Sequence, residues 1–394
     1  MRSATATVTI IVVTIDIGLA LLHNSLSLAW TPHRNNNKSF PTRVDSISGN
    51  WLQSHQQQQQ EAEHDKDHYH DHDNSQSQLF QEFVVFLQST QATIIQQLEE
   101  MDGSGETFTN DTWGTFAIPS EGTSGGITRV LQGGSVIEKG ACSLTLLPQG
   151  ILSAERATAI QSRQDSDVQV QAGDIFSAAA LSIVLHSKSP MVPTFRSDVR
   201  LFLTSNKLTG TTKAWFGGGA DLTPYYLNTD NIKSFHQHYQ QLADHQHHHI
   251  LGYDYASMKQ ACDDYFYLIA RSEHRGTGGI FFDDMEATES TLQFVKAVAN
   301  AWMPSWLPIV EQHRHTPYTE KQRYWQLLRR GRYLEFNLLY DRGVKFGLAN
   351  VNPRVEGVMV SAPPLIAWEY NHTIEKGSEE QKLMDILKTP IDWI

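Results

Sequence analysis

From Ser54 to Gln78 the chain has almost nothing apolar to bury, and this sets where any fold must begin. Gln56 to Gln60 is an unbroken glutamine run. His64, His68, His70 and His72 are interleaved with Asp65, Asp67, Asp71 and Asp73. Such a tract predicts a solvated, disordered linker over 45–78, with weak divalent-metal binding as the alternative. Residues 1–44 read as a leader. Arg2 precedes the apolar runs Thr9 to Val13 and Ile17 to Leu22, which Asp16 interrupts, so no permanent membrane span is expected. Ser27-Leu28-Ala29 has small residues at signal-peptidase spacing, and Trp30 to Arg43 is basic and free of acids. One folded domain is therefore expected over 79–394.

Within it, Phe80, Phe83, Val84, Leu87, Ile94, Ile95 and Leu98 recur at helical spacing. Short β-rich segments with glycine turns follow, from Gly125 to Ile137. Thr194 to Thr204, Ile280 to Phe282, Tyr333 to Tyr340 and Val355 to Val360 read as strands. Ile232 to His245, Tyr255 to Arg271 and Glu379 to Leu387 read as helices. Strands grouped with hairpin turns, and separate helices, predict an α+β class with a mainly antiparallel sheet. The formal net charge of -12 argues against a nucleic-acid partner, which needs a basic face. Two distant cysteines, Cys142 and Cys262, give no disulfide framework or zinc site.

Four segments carry candidate chemistry. In Trp215 to Pro224, Gly217, Gly218 and Gly219 strip side chains from the backbone just before Asp221. That suits close approach of a flat ligand, or a tight turn. In Pro193 to Arg200, alternation puts Thr194, Arg196, Asp198 and Arg200 on one strand face. Two arginines there suit a polycarboxylate, or a salt-bridged exposed strand. Arg275 to Asp284 ends in paired acids, which without a third ligand at fixed spacing make a poor metal site. Arg329 to Gly347 is the fourth.

These segments, with Pro353-Arg354-Val355-Glu356 and Trp368-Glu369-Tyr370, closely resemble the oxygen-dependent coproporphyrinogen III oxidases. The similarity runs from about Gly114 to Ile394. It implies a flat antiparallel sheet of about seven strands with helices on both faces, acting as a homodimer. It implies conversion of two propionates of coproporphyrinogen III to vinyls, giving protoporphyrinogen IX, with O2 as oxidant and no organic cofactor or metal. A catalytically silent porphyrinogen-binding paralogue or regulatory subunit is the alternative. The resemblance places Arg200, Arg342 and Arg354 near the substrate, with Ser182, Tyr333 and Glu335 beside them. Asp221 matches the aspartate that faces the pyrrole N–H groups, and His186 and His236 match family histidines. The leader is similar to the two-part leader of complex plastids, which implies a plastid, with mitochondrion or secretory pathway as alternatives.

Beside smaller departures at Ala180, Ser187, Ser189 and Leu147 to Gln149, three departures from the family pattern bear on the chemistry. Arg196 stands where the family has a histidine that is a candidate proton donor, and Asp198 where it has an asparagine. Arginine stays protonated far above neutral pH, so Arg196 can hold charge but not shuttle a proton. The two side chains, two apart on one face, are expected to pair. Ala270 replaces a second histidine, and His274, four residues on, is the expected stand-in if that helix persists.

Overall fold

The computed structural model describes residues 50–114, 125–161, 170–246, 252–348 and 353–394, with side chains described only from Gln76 on. The leader and His247 to His249 lie outside the described residues. The sheet and all the candidate site residues belong to one compact unit, residues 60–394. Helix α1 spans Asn50–Asp102. The chain is thus helical over 50–78, within the tract expected to be an unstructured linker. Residues 50–78 contain no glycine or proline, and their Gln, Glu and Ala residues favour helix. Among the described side chains, Leu79, Phe80, Phe83, Val84 and Leu87 of this helix are buried. Asp102 closes the helix. Its carboxylate accepts the backbone N–H groups of Ser135, Val136 and Ile137 at 2.8–2.9 Å and fixes the turn between the second and third strands.

The strands β1 (Asp111–Gly114), β2 (Gly125–Gln132), β3 (Ile137–Ile151), β4 (Ile175–Ser187), β5 (Thr194–Ser205) and β6 (Thr212–Thr223) run in chain order. Helix α2 (Ala154–Gln161) interrupts them after β3. Helices α3 (Thr229–Gln246) and α4 (Tyr255–Tyr265) follow, then a two-residue hairpin, β7 (Tyr267–Leu268) with β8 (Glu273–His274). Strand β9 (Gly278–Glu286) joins the sheet beside β6. The result is one antiparallel seven-stranded sheet, ordered β1-β2-β3-β4-β5-β6-β9. Helices α5 (Glu289–Asn300), α6 (Trp302–His313), α7 (Glu320–Leu339), α8 (Arg342–Leu348), α9 (Val355–Val358) and α10 (Glu379–Lys388) complete the chain.

Alternation along the strands divides the sheet into two unlike faces. Leu144, Leu181, Ile183, Phe195, Val199, Leu201, Phe216, Ala220, Ile280 and Phe282 point one way. They form the main core with Phe83 of α1, Phe235 of α3, Phe294 of α5 and Trp306 of α6. The other face is polar and small, and α4 and α7 pack on part of it. There Cys262 and Phe266 meet Phe281 and Phe336. Tyr333 meets Ala141 and Val184. The α+β class, the antiparallel sheet and the helices on both faces all match expectation.

Two expected strands are helices. Tyr333 to Leu339 belongs to α7, with Tyr340 as its C-cap, and the helix starts at a capping box: Thr319 Oγ1 accepts the Gln322 N–H, and Gln322 reaches back to the Thr319 N–H. Val355 to Val360 forms α9 and a 3₁₀ turn, Met359–Ser361. Both sheet edges end elsewhere, at β1 and β9, and Val360 packs instead onto Tyr333. The helix expected over Tyr255 to Arg271 stops at Tyr265, where the chain turns into the β7–β8 hairpin.

Candidate active site

The register of β4, β5, β6 and β9 assembles the polar face. Ser182 lies opposite Asp198, and Asp198 opposite Gly219. Arg200 lies opposite Gly217, and Arg196 opposite Asp221. Ser143 and Thr145 on β3, with Ala180 and Ser182 on β4, extend this face as a floor of small side chains. Gly217 and Gly219 share it. Gly218 does not, because alternation turns it to the core, where a Cβ would lie 2.8 Å from the Phe282 ring. A Cβ on Gly217 would lie 2.6 Å from Asp283 Oδ1 and 2.7 Å from Arg200 Nε. Gly219 is closed by the Ile280 carbonyl at 2.5 Å from such a Cβ. The glycine run is therefore required by the sheet's own packing.

Across this floor runs a ladder of alternating charge. Arg196 Nη1 is 2.8 Å from Asp198 Oδ1, as an ion pair poorly aligned for a hydrogen bond. Asp198 also binds Arg200. Arg200 Nη2 is 3.2 Å from Asp283 Oδ1, and Arg342 Nη1 is 3.3 Å from Asp283 Oδ2. Burial works against the charge on Arg196, but Asp198, Asp221 and Asp341 outweigh it and raise its pKa further. Arg196 is thus a fixed cation paired with Asp198, as the sequence spacing predicts.

Asp221 sits at the buried end of the ladder. Its Oδ2 accepts a hydrogen bond from Arg275 Nη2 at 2.6 Å, with both side chains almost fully buried. The Arg275 guanidinium is enclosed by aromatic rings: Phe266 at 4.0 Å, Tyr333 at 4.4 Å and Phe336 at 4.8 Å from Cζ. The other carboxylate oxygen, Asp221 Oδ1, is buried with no hydrogen-bond partner among the described residues. A buried carboxylate oxygen without a donor is costly, and in a native site it marks a place for one. Burial pushes Tyr333 up to about 12, so it stays a neutral phenol.

His186 lies behind Tyr333, edge to face at 5.0 Å. Its Nε2 donates to the Ser361 carbonyl at 2.9 Å, which leaves Nδ1 to accept from the Thr194 hydroxyl at 3.2 Å. Tyr225 and Arg330 continue this buried chain. Burial, then the nearby Arg330, hold His186 well below its ordinary pKa, so it is neutral and not placed on the charge ladder.

Other expected residues stand apart. Glu335 projects from the far side of α7, where Arg271 grips both its oxygens at 2.6 and 2.9 Å and Arg332 adds a third bond. A strand would have put Glu335 beside Tyr333; a helix turns it about 200° away. Arg354 binds Asp111 and donates to Thr128 Oγ1 at 3.2 Å. Thr128 is three strands from Asp198 along one cross-strand row, about 14 Å. His236 is on α3, against the opposite face, bound to Tyr255 and the Thr277 carbonyl. His274 is on β8 and bonds the Leu387 carbonyl, so it does not replace the histidine absent at Ala270. Two small cavities, lined in part by His274 and Trp393 and by Tyr225 and Ile309, hold only about 10 and 20 Å³, room for water and no more. Among the described residues no three His, Cys, Asp or Glu side chains are grouped to hold a metal ion, and no helix is long and apolar enough to cross a membrane.

Sequence reasoning missed Arg275 as the partner of Asp221, and Asp283 as the link between Arg200 and Arg342. Each contact spans more than fifty residues and leaves no local spacing signal.

Residues 82–393 match the family model described as coproporphyrinogen III oxidase. The chain is 41% identical over 313 residues to the oxygen-dependent coproporphyrinogen-III oxidase, mitochondrial, of Mus musculus, covering 79% of this chain and 68% of that protein. It is 38% identical over 330 residues to the chloroplastic enzyme of Hordeum vulgare, covering 80% of each. The chain belongs to the coproporphyrinogen III oxidase family. A similar likeness holds for coproporphyrinogen-III oxidase 1, chloroplastic, of Arabidopsis thaliana, at 38% identity over 327 residues. The family match takes in every residue of the charge ladder, Arg196 and Asp198 included. Arg196 and Asp198 form a mutually neutralising pair, so together they add no net charge to the ladder.

Proposed function

We propose that this protein oxidatively decarboxylates two propionates of coproporphyrinogen III to vinyls, yielding protoporphyrinogen IX with O2 as oxidant and without an organic cofactor or metal. The supporting observation is the unpartnered Asp221 Oδ1, buried beside a floor of small residues and a row of arginines. Each step balances as propionate plus O2 plus a proton giving a vinyl group, CO2 and H2O2. Oxygen takes the equivalent of a hydride from the propionate chain as its carboxylate leaves as CO2.

Each group has a task in that reaction. Asp221 Oδ1 accepts hydrogen bonds from pyrrole N–H groups, which makes the ring electron-rich toward oxygen, while Arg275 fixes the carboxylate through Oδ2. Ser182, Asp198 and Gly219 floor the macrocycle, with Tyr333 at its buried end. Arg200 and Arg342 hold a carboxylate at one side of the sheet. Arg354, bonded to Thr128 on β2, takes another. A tetrapyrrole carrying carboxylates on its rim matches this spread. Arg196 anchors charge and does not donate a proton. Following the family, the protein acts as a homodimer in a plastid.

The test is aerobic turnover of coproporphyrinogen III by the purified chain, with product and CO2 read out and an anaerobic control. Oxygen-dependent protoporphyrinogen supports the assignment. Tight binding without turnover overturns it in favour of a silent binder.

A further inference from the structure

We propose that Asp283 is a positioning residue that holds Arg200 and Arg342 side by side as one receptor for a single substrate carboxylate. This rests on the oxidase reading above and deepens it. Neither Asp283 nor its neighbour Asp284 has a part in that reading, and they do not form a metal site among the described residues.

The backbone is specialised to place Asp283. The pairing of β6 with β9 is regular from Leu222 to Gly218 and then shifts register, so that Asp283 and Asp284 together oppose Gly217. Asp284 takes a positive φ of 55°. Phe282 and Met285, on either side, both point into the core. Unbroken alternation would send Asp284 into that core and turn Met285 out. The bulge inserts one residue and keeps both apolar side chains buried with Asp283 on the polar face. Bulges beside active sites commonly re-aim a side chain in this way. The Tyr253 hydroxyl donates to the Asp283 carbonyl at 3.2 Å and steadies the bulge.

Asp283 then uses one oxygen for each arginine, Oδ1 to Arg200 Nη2 and Oδ2 to Arg342 Nη1. Arg200 is held on its other edge by Asp198. Arg342 enters α8 and is 56% exposed, with the Tyr265 ring 5.2 Å from its Cζ. Gly217 leaves the room in which the Arg200–Asp283 pair lies flat against β6. The two guanidiniums gathered on Asp283 present N–H donors side by side, which suits one carboxylate. Without Asp283 the two guanidiniums repel, and Arg342, the more exposed, swings toward water.

Two variants of the full chain test this without removing either arginine. Asp283→Asn keeps the shape and loses the charge. Gly217→Ala keeps every charge and forces Asp283 and Arg200 apart. Each is expected to raise the KM for coproporphyrinogen III about tenfold, with kcat falling much less, and Asp283→Glu should recover part of the loss. Coproporphyrin III, the oxidised and unreactive macrocycle, serves as a binding probe by fluorescence quenching and should weaken in parallel. Unchanged KM and unchanged coproporphyrin binding in Asp283→Asn overturn the proposal. So does a loss of kcat that follows the thermal midpoint with KM constant, which marks a structural role. If the wild-type chain neither turns over coproporphyrinogen nor binds coproporphyrin III, the oxidase reading fails and takes this inference with it. A working wild type with an indistinguishable Asp283→Asn defeats the inference alone.

Discussion

Asp221 and Arg275 are a buried pair in which each side chain makes the other tolerable. Removing only the carboxylate charge, as Asp221→Asn, leaves a guanidinium with about 1% exposure without its counter-ion. Breaking such a pair costs about 3–5 kcal/mol, whereas replacing both members by apolar groups is often neutral. Asp221→Asn is therefore expected to lower the thermal midpoint and to cut turnover at least about 10²-fold. Adding Arg275→Met should return the midpoint and leave turnover low. Recovery of both together would mean that Asp221 only balances Arg275. Arg196 and Asp198 allow a complementary experiment. Arg196→Ala leaves Asp198 with Arg200 alone and binds that arginine more tightly to the floor, away from substrate. Asp198→Asn leaves two like charges on one strand face. Each single change is expected to raise KM, while Arg196→His with Asp198→Asn removes both charges at once and should raise it less. A double-mutant cycle on KM should show coupling of about 0.5–3 kcal/mol; strict additivity would show that the pair is not a unit.

At the scale of elements, α7 shows where sequence reading succeeds and where it stops. Leu334, Phe336, Leu338 and Tyr340 alternate as a strand would, and that pattern is accidental: Leu338 and Leu339 are exposed. The stripe that decides the fold is Trp325, Leu328, Tyr333 and Phe336, buried at helical spacing. The Thr319-x-x-Gln322 start signal lies just upstream. Gly331, inside the helix, marks a close approach. A Cβ there would meet the Ala367 carbonyl at 2.7 Å and Trp368 Nε1 at 3.0 Å. Gly331→Ala should thus destabilise by about 1–3 kcal/mol through overpacking, despite the better helix propensity of alanine. Urea denaturation measures it, and a stabilised variant would show that the 367–368 segment yields freely. The β5 face was legible because period-two alternation fixes which side chains share a side, and the predicted Arg196–Asp198 pair follows from that alone. The Asp221–Arg275 and Arg342–Asp283 contacts were not, since they depend on how β9 and α8 return to β6 after long excursions. His274 failed as a substitute because α4 ends nine residues before it, at Tyr265.

For the whole molecule, among the described residues a buried neutral histidine lies on each side of the sheet, and this gives folding a pH dependence of definite sign. His186 lies on the substrate face and His236 on the core face, both without solvent exposure. Burial lowers the pKa of His186 well below 6.5, with Arg330 adding to the effect, and burial lowers that of His236 to about 3. In the unfolded chain each histidine takes up a proton as pH falls through its ordinary value near 6.5. In the folded chain neither does so until far lower pH. Over that interval the unfolded state binds more protons, so the stability is fully present above pH about 6.5 and is lost progressively below it. Each histidine contributes a slope of up to about 1.4 kcal/mol per pH unit. The depressed carboxyl of Asp102, buried but held by the Ile137 N–H and three further donors, acts in the same sense, with its loss confined to pH below its ordinary 3.8. Denaturant unfolding between pH 5 and 8 should therefore show stability flat at the alkaline end and falling below about 6.5. His236→Gln, which cannot titrate, should remove one histidine's share of that slope while leaving turnover at pH 7.5 near normal, because His236 faces away from the ladder. Equal stability at pH 5.5 and 7.5 would mean that both imidazoles titrate as they do in the unfolded chain, and a turnover loss in His236→Gln would bring the core face into the chemistry.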